Sequence, residues 1–471
     1  MSRRQDLVII GAGPAGLVAA SVAGQLGLRV TLAEKSDRLG GDCLHTGCVP
    51  SKTLLHLAQT VHTARCGVRD GLFASMPDVD FGAAVDRVRA VIEQIQQHDD
   101  PERFRGYGCD VRFGHARFVG PHALAIGDEV IRARRFLIAT GSKPAIPPIP
   151  GLEEAGFDTS DTIFSRRELP RRLAVLGGGP IGVELGQAFA RLGARVTLVE
   201  QAARLLPAHD ASSAAVLQEV LTGEGVSVHA GAAVHSVRSD GGSRQLLLAD
   251  GTTLECDRIL VAAGRRPALA ALGLEAAGVQ HDGRGIGVDA RQRTSRRHIY
   301  AAGDVCGPYP FTHMAEYQAG IALANMVFRF PRRADYRVVP RVVYTDPEVA
   351  SVGLDPREAQ ARGIRYDTAE FPLRELDRAI TAGTAAGFCR LLIRKGRLLG
   401  ASIVAPQAGE LIHELALAMR VNARIRDISE LIHAYPTYAQ IHRRTVNAHY
   451  AYLLRSRRLR WLAWGLNRLL P

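Results

Sequence analysis

An α/β fold built from two copies of one βαβ unit, followed by an α+β domain, is what these 471 residues predict. Three observations predict it. Two glycine-rich segments superpose without a gap. A cysteine pair follows the first of them. After about Tyr336 the pattern changes to strands and amphipathic helices that carry no such glycines.

The first segment is Val8-Ile9-Ile10-Gly11-Ala12-Gly13-Pro14-Ala15-Gly16, leading to Val30-Thr31-Leu32-Ala33-Glu34. The second is Ala174-Val175-Leu176-Gly177-Gly178-Gly179-Pro180-Ile181-Gly182, leading to Val196-Thr197-Leu198-Val199-Glu200. The offset stays constant down to Leu26-Gly27 against Leu192-Gly193, which marks an internal duplication. Each copy reads strand, G-x-G-x-x-G, helix, strand, acid. The glycines let the backbone turn tightly and approach a pyrophosphate at the helix N-terminus, while the glutamate accepts hydrogen bonds from ribose hydroxyls. One such motif is weak evidence. Two in register predict two Rossmann-like domains and two bound adenine dinucleotides.

Between the copies lies Gly40-Gly41-Asp42-Cys43-Leu44-His45-Thr46-Gly47-Cys48-Val49-Pro50-Ser51-Lys52. At this spacing one helical turn brings two sulfurs within reach of a disulfide. A position near the start of the helix expected from Lys52 to Thr63 should favour thiolate. Zinc needs four ligands, and no second cysteine pair supplies them, so a redox-active disulfide is expected and no metal site.

Composition sets the remaining bounds. The apolar fraction is ordinary and the length suits two or three domains. The net charge is +12, carried almost wholly by arginine, with Lys35, Lys52, Lys143 and Lys395 the only lysines. No aromatic-basic motif points to nucleic acid. Cys66, Cys109, Cys256 and Cys389 read as small buried hydrophobes, which fits a reducing cytoplasm with one catalytic disulfide. The apolar run after Met1–Arg4 belongs to the glycine motif rather than to an export signal. No stretch is long enough to span a membrane.

Along the chain, residues 1–151 read as the first part of one nucleotide domain, 152–270 as the second nucleotide domain, and 271–335 as the remainder of the first. Residues 336–447 form a third domain and 448–471 a basic amphipathic tail. A helix is expected near Phe81–Gln97, and short strands over 107–135 with turns at Gly120-Pro121 and Gly127-Asp128. Ala139-Thr140-Gly141 and Ala262-Ala263-Gly264 end matching buried strands. Ala301-Ala302-Gly303-Asp304 ends another, where Asp304 holds a polyol chain or caps the helix expected from Phe311.

These residues resemble the flavin-dependent pyridine nucleotide–disulfide oxidoreductases, among them dihydrolipoamide dehydrogenase, glutathione reductase and mercuric reductase. The likeness covers about 5–445. It rests on G-G-x-C-x-x-x-G-C-V-P-S-K at 40–52, A-T-G at 139–141, G-R-x-P at 264–267, A-x-G-D at 301–304 and Thr345-Asp346-Pro347-Glu348-Val349-Ala350-Ser351-Val352-Gly353. The resemblance implies FAD on the first unit, through Gly11, Gly13, Gly16, Glu34, Lys52, Thr140, Gly141, Gly303 and Asp304. It implies a nicotinamide cofactor on the second, through Gly177, Gly179, Gly182, Glu200 and Gly264. It implies that the third domain makes a homodimer whose subunits share active sites. Cys48 is then the sulfur beside the flavin, Cys43 the interchange thiol that meets a small-molecule acceptor, and Lys52 the partner of Glu184.

In one place the pattern departs. Well-known members carry His-Pro-Thr-x-x-Glu near the C-terminus, with the histidine as acid/base. Here the segment reads Tyr435-Pro436-Thr437-Tyr438-Ala439-Gln440. A tyrosine hydroxyl, with an ordinary pKa of about 10, donates a proton at neutral pH and scarcely accepts one. His433, two residues upstream, has two readings, a substitute base and a residue that only packs in the interface, with packing favoured. Mercuric reductases usually end in a vicinal cysteine pair, and the last cysteine here is Cys389.

The expectation is therefore an enzyme passing electrons from NADH, in preference to NADPH, through flavin and the Cys43–Cys48 disulfide to an unassigned acceptor. Dihydrolipoamide dehydrogenase, a mercuric-type reductase and a membrane-associated redox module are the alternatives. Arg204, four residues after Glu200, could turn to a 2′-phosphate. The tail supplies seven arginines after the last acid, Glu430, and both tryptophans, Trp461 and Trp464. Tyr450, Leu453, Leu454, Trp461 and Trp464 recur at roughly helical spacing. Packing across a dimer and lying at the inner face of a membrane are its two readings, with packing favoured because Gly465 weakens a free helix.

Overall fold

The computed structural model describes residues 4–240, 242–454 and 457–469, without the side chains of 452–454, 458 and 469. The export-like start at Met1 and the tail side chains of Leu453 and Leu454 lie outside that set. The chain forms two compact units. One comprises 1–177, 192–194 and 234–335, the other 178–191, 195–233 and 336–471.

The first unit is built on a five-stranded parallel sheet in the order Ile299–Ala301, Phe136–Ile138, Leu7–Ile10, Val30–Glu34, Cys109–Phe113. Alternate residues of the strand Leu7–Ile10 enter different cores. Leu7 and Ile9 join Leu32 and Leu137 under the helices Pro14–Gln25 and Thr312–Met326. Val8 and Ile10 join Phe118, Leu124, Phe136 and Ile138 on the opposite face. A sheet covered on both faces needs uninterrupted apolar strands, and all four residues of Leu7–Ile10 are buried. Burial of each such side chain stabilises the fold by about 1.5–3 kcal/mol.

The expected turns are present. Strands Ala116–Gly120, Ala123–Ile126 and Glu129–Arg132 form an antiparallel sheet reversing at Gly120-Pro121 and Gly127-Asp128. The helix Phe81–Gln96 starts where Asp80 accepts the Ala83 N–H. Strand Arg172–Leu176 pairs in parallel with Arg258–Val261, as Leu7–Ile10 pairs with Phe136–Ile138.

In the second unit, helix Pro180–Leu192 and strand Arg195–Glu200 continue the second copy, and that strand pairs in parallel with Ser227–Ala230. The α+β part is an antiparallel sheet ordered Arg341–Val343, Glu348–Gly353, Arg397–Ala405, Phe388–Arg394, Asp367–Pro372. Ile412 and Leu415 of helix Ala408–Arg420 are buried in one core with Ile403, Leu391 and Val446. The tail is two helices, Gln440–Leu454 and Arg457–Leu469, the second running through Gly465.

Candidate active site

The glycine loop and the cysteine loop are built against each other. Gly40 N–H donates to the Ala12 carbonyl at 2.9 Å. Gly40 and Gly41 both take positive φ, and a Cβ on Gly41 would come 2.7 Å from Gly13 Cα. The Gly-Gly pair is therefore a steric requirement of close approach as well as of turning. It seats the short helix Gly41–His45, which carries Cys43, beside the phosphate loop.

Cys48 opens the helix Cys48–Arg69, which starts four residues before the expected Lys52 and ends six after the expected Thr63. Cys43 is half-buried and Cys48 exposed, and both are thiols here. Thr312 touches both: its hydroxyl donates to Cys43 Sγ at 3.4 Å and lies 3.3 Å from Cys48 Sγ. Thr312 is also the first residue of helix Thr312–Met326, so that helix turns its positive end toward the sulfurs. The helix-start expectation of a favoured thiolate fails at Cys43. The adjacent Cys48 sulfur, then burial, then the Cys48 charge push the Cys43 thiol up, and Thr312 only partly opposes them. Two sulfurs this close hold on to one proton between them.

Around this pair, Ser142 Oγ donates to Asp304 Oδ2 at 2.6 Å, and Gly303 N–H donates to buried Gln318 Oε1 at 2.7 Å. Asp304 does not cap the following helix; Phe311 holds that position. Arg265 binds Ser142 through Nε at 2.7 Å and pairs with Asp42, the residue before Cys43. Burial pushes the Asp42 carboxyl above its ordinary value, and the Arg265 charge offsets only part of that. Thr140 Oγ1 donates to the Ala268 carbonyl at 2.9 Å, and Gly141 accepts from Ala268 N–H. Lys52 lies half-buried on the helix Cys48–Arg69.

The two glycine loops match atom for atom. Glu34 is buried; its Oε2 accepts the Ala12 N–H at 2.7 Å and its Oε1 the Ser36 N–H at 3.0 Å. Glu200 accepts the Gly178 N–H at 2.6 Å and the Ala202 N–H at 2.6 Å. A Cβ on Gly11 would lie 2.4 Å from the Ala139 carbonyl oxygen, and on Gly177 2.4 Å from that of Ala262. A Cβ on Gly16 would lie 1.9 Å from the Gly11 carbonyl oxygen, which closes helix on strand. The second glycine differs in kind: a Cβ on Gly13 would meet only Gly41 Cα at 3.9 Å, and on Gly179 nothing within 4 Å. That open side, at a helix N-terminus, is the cradle a pyrophosphate needs. The residues present thus fit one dinucleotide on each loop.

Comparison with known proteins decides the family. Residues 5–319 match the pyridine nucleotide-disulphide oxidoreductase family and 339–445 the dimerisation domain of that family. The chain belongs to the pyridine nucleotide-disulphide oxidoreductases. Among its relatives, dihydrolipoyl dehydrogenase of Thermus scotoductus is 39% identical, with 92% of this chain and 95% of that one covered. A mercuric reductase of Bacillus cereus is 33% identical over 92% of this chain and 70% of its own. The Cu(II) complex of the HOCl-induced flavoprotein disulfide reductase RclA from Escherichia coli superposes with a TM-score of 0.86 at 29% identity. It covers 94% of this chain and 99% of that one. The protein is accordingly an FAD-dependent oxidoreductase acting on sulfur groups with a pyridine nucleotide.

In this oxidoreductase the remaining expected residues lie in the second unit. Glu184 is buried on helix Pro180–Leu192, and its Oε1 accepts the Tyr344 N–H at 2.9 Å. Gly182 is on the same helix. Tyr435 is 68% exposed. His433 is not a spare base. Its Nδ1 lies 3.1 Å from the Leu431 carbonyl, and its Nε2 3.2 and 3.3 Å from the two oxygens of Glu414. Both ring nitrogens are committed inside their own domain. Arg204 is not free to turn to a phosphate either, since its guanidinium donates to the carbonyls of Leu205, Leu206, Pro207 and His209.

One further expectation needs correcting. Cys66 is half-buried rather than buried, with His62 Nε2 3.4 Å from its sulfur. Cys109, Cys256 and Cys389 are buried, and burial pushes their thiols to about 11, 11 and 12. Sequence reasoning missed Thr312, Ser142 and Arg265. Arg265 stood inside the G-R-x-P motif but only its glycine was singled out, and Thr312 gave one faint sign, a hydroxyl at a helix start.

Proposed function

We propose that the protein is an NADH-driven reductase that works toward reduction of a small acceptor at the Cys43–Cys48 pair. When bound, FAD supplies the relay that takes a hydride from a nicotinamide and returns an electron pair to a disulfide. The chain does the rest. The Cys43–Cys48 disulfide takes up two electrons and two protons to become two thiols, and Thr312 holds both sulfurs. Cys43 meets the acceptor, and Tyr435, from the partner subunit of a homodimer, donates a proton. Lys52 and Glu184 keep the roles their positions in the family motifs imply. The roles of the two sulfurs, and of Lys52, Glu184 and Tyr435, rest on their matching positions in the family motifs.

The observation that carries the direction of flow is at Tyr435. An exposed tyrosine stands where relatives place a histidine, and His433 is locked to Glu414 and Leu431. No base is left in that segment to draw a proton from a dithiol substrate, a step that typically contributes ~10²–10⁴-fold. Reduction draws on no such base: a disulfide acceptor needs only a donor for its departing thiolate, and a metal ion takes electrons from the thiolates and releases their protons. Thiophilic metal ions suit such a site, since they bind a dithiol pair directly, and relatives named for Hg and Cu(II) support that class. Oxidation of dihydrolipoamide is the second reading, favoured by the 39% identical relative.

NADH is preferred over NADPH in this reading. A 2′-phosphate would face the Glu200 carboxylate, and Arg204 is tied to four carbonyls. The test is an acceptor panel with FAD-loaded enzyme and NADH or NADPH: Cu(II), Hg(II), lipoamide, glutathione disulfide, quinones and oxygen. Turnover of a metal ion well above lipoamide supports the proposal. Lipoamide turnover matching or exceeding the metals refutes it.

The helix Arg457–Leu469 exposes Trp461, Leu462, Trp464 and Leu466. Among the described residues no helix is long and apolar enough to cross a membrane. Packing on the partner subunit is the reading we favour for this face, with an anionic membrane surface as its rival. Sedimentation with anionic vesicles, comparing the full chain with one truncated after Asn447, separates them.

A further inference from the structure

Three segments distant in sequence meet in the C-terminal domain. Glu414 lies on helix Ala408–Arg420, His433 on the stretch ahead of helix Gln440–Leu454, and His442 on that helix. One nitrogen or oxygen from each lies within 4.8 Å of the others. His433 Nε2 is 3.2 and 3.3 Å from the two Glu414 oxygens, and His442 Nδ1 is 2.9 Å from Glu414 Oε2.

The donor set and its surroundings carry the argument. His442 is fully buried, yet neither ring nitrogen makes a hydrogen bond; the close Glu414 oxygen lies off the N–H axis. Buried polar atoms of this kind are costly and call for a partner. At His433, Nδ1 faces a carbonyl oxygen and so bears the proton. In the neutral ring, Nε2 then points a lone pair at a carboxylate. A cation between them removes that repulsion. Imidazoles that bind metals commonly hold their second N–H on a backbone carbonyl, as His433 does with Leu431. Two imidazoles and one carboxylate suit zinc and its first-row neighbours. Tetrahedral zinc, with bonds of about 2.0–2.1 Å, sets its ligands about 3.3 Å apart. The two separations from Glu414 differ from that by a few tenths of an ångström, and the two histidine nitrogens lie within 4.8 Å of each other. Glu414 keeps 27% of its side chain exposed, which gives an ion a way in.

We propose that Glu414, His433 and His442 form a binding site for a divalent first-row metal ion, best matched by zinc. The ion joins the two helices to the stretch that carries Tyr435, and water fills its fourth position. The cysteine spacing could not reveal this site, because its ligands come from three separate segments. If both imidazoles were instead protonated and paired with Glu414, which they hold below its ordinary value, no ion would be needed.

The experiment uses full-length, FAD-loaded protein, stripped of metal by chelator and held in the disulfide form so that Cys43 and Cys48 cannot compete. Zinc is titrated against a chromophoric chelator, and the thermal midpoint is followed with and without zinc. The expected result is one zinc per chain and a raised midpoint. Glu414→Gln and His442→Phe should each weaken binding at least ~10-fold while keeping the flavin spectrum of the wild type. Should His442→Phe fail to fold, the isosteric Glu414→Gln decides alone. No stoichiometric uptake by wild type, or uptake by Glu414→Gln as tight as by wild type, overturns the site.

Discussion

The two copies of the βαβ unit hold their glutamates alike and part company just after them. Glu34 and Glu200 each clamp the second residue of a glycine loop and a backbone N–H two residues beyond the acid. After Glu34 the chain turns through Gly40-Gly41 into Cys43 and Cys48. After Glu200 it forms a loop pinned by Arg204 around buried His209. The shared part is a holder for a dinucleotide. The two cysteines lie where the copies diverge, in a segment packed against the first holder through Gly40 and Gly41. The comparison also explains Ala12 against Gly178. A Cβ on Gly178 would come 2.6 Å from Leu205 Cδ2, a side chain of the pinned loop.

If the holders are equivalent, breaking each should remove a different cofactor. Glu34→Ala leaves the buried Ala12 N–H without its acceptor, at about 1–3 kcal/mol, and frees the Ser36 N–H to solvent. This variant should purify with little FAD, read from the ratio of flavin to protein absorbance. Glu200→Ala should keep its FAD and raise the KM for NADH by ~10–100-fold. Equal FAD loss in both variants would break the assignment of cofactors to copies.

The pinned loop of the second copy gives the next effect. Burial, reinforced by Arg341 and Arg204, lowers His209 to about 4. The unfolded chain binds this proton below its ordinary value of about 6.5, while the folded chain resists until about 4. Stability should therefore be complete above about pH 6.5 and fall between there and pH 4, by about 3 kcal/mol at most from this group. His209→Gln should flatten that part of the denaturation profile. An unchanged slope would show that His209 does not titrate with unfolding.

Thr312 is the smaller effect and belongs to the first copy. Its hydroxyl is the one group that lowers Cys43 against the upward push of Cys48 and burial. Thr312→Val should raise the Cys43 thiol further. The acidic limb of the turnover profile should then move to higher pH, with about tenfold less activity on that limb for a loss of ~1 unit. A profile that stays in place would mean that Thr312 only packs.

Much of this was legible because it is local. The strand Leu7–Ile10, the glycine loops, the Glu34 and Glu200 positions and the cysteine loop all follow from short-range spacing. What escaped the sequence depends on contacts between distant segments. Thr312 reaches sulfurs more than 260 positions away in the chain. Arg265 reaches Asp42 across a similar span. The confinement of His433 is set by Glu414, on another helix, and Arg204 is spent on carbonyls of its own loop. The expected thiolate at Cys43 failed for a local reason of another kind: a second sulfur outweighs a helix end.

The most direct test of the account counts thiols as electrons enter. FAD-loaded protein in the disulfide form is mixed anaerobically with one equivalent of NADH per chain and alkylated, and the cysteine peptides are read by mass spectrometry. New labelling should fall on Cys43 and Cys48 together, leave Cys66, Cys109, Cys256, Cys306 and Cys389 as before, and vanish when an acceptor is added. Oxidation of NADH with the labelling of Cys43 and Cys48 unchanged would contradict a route through that pair.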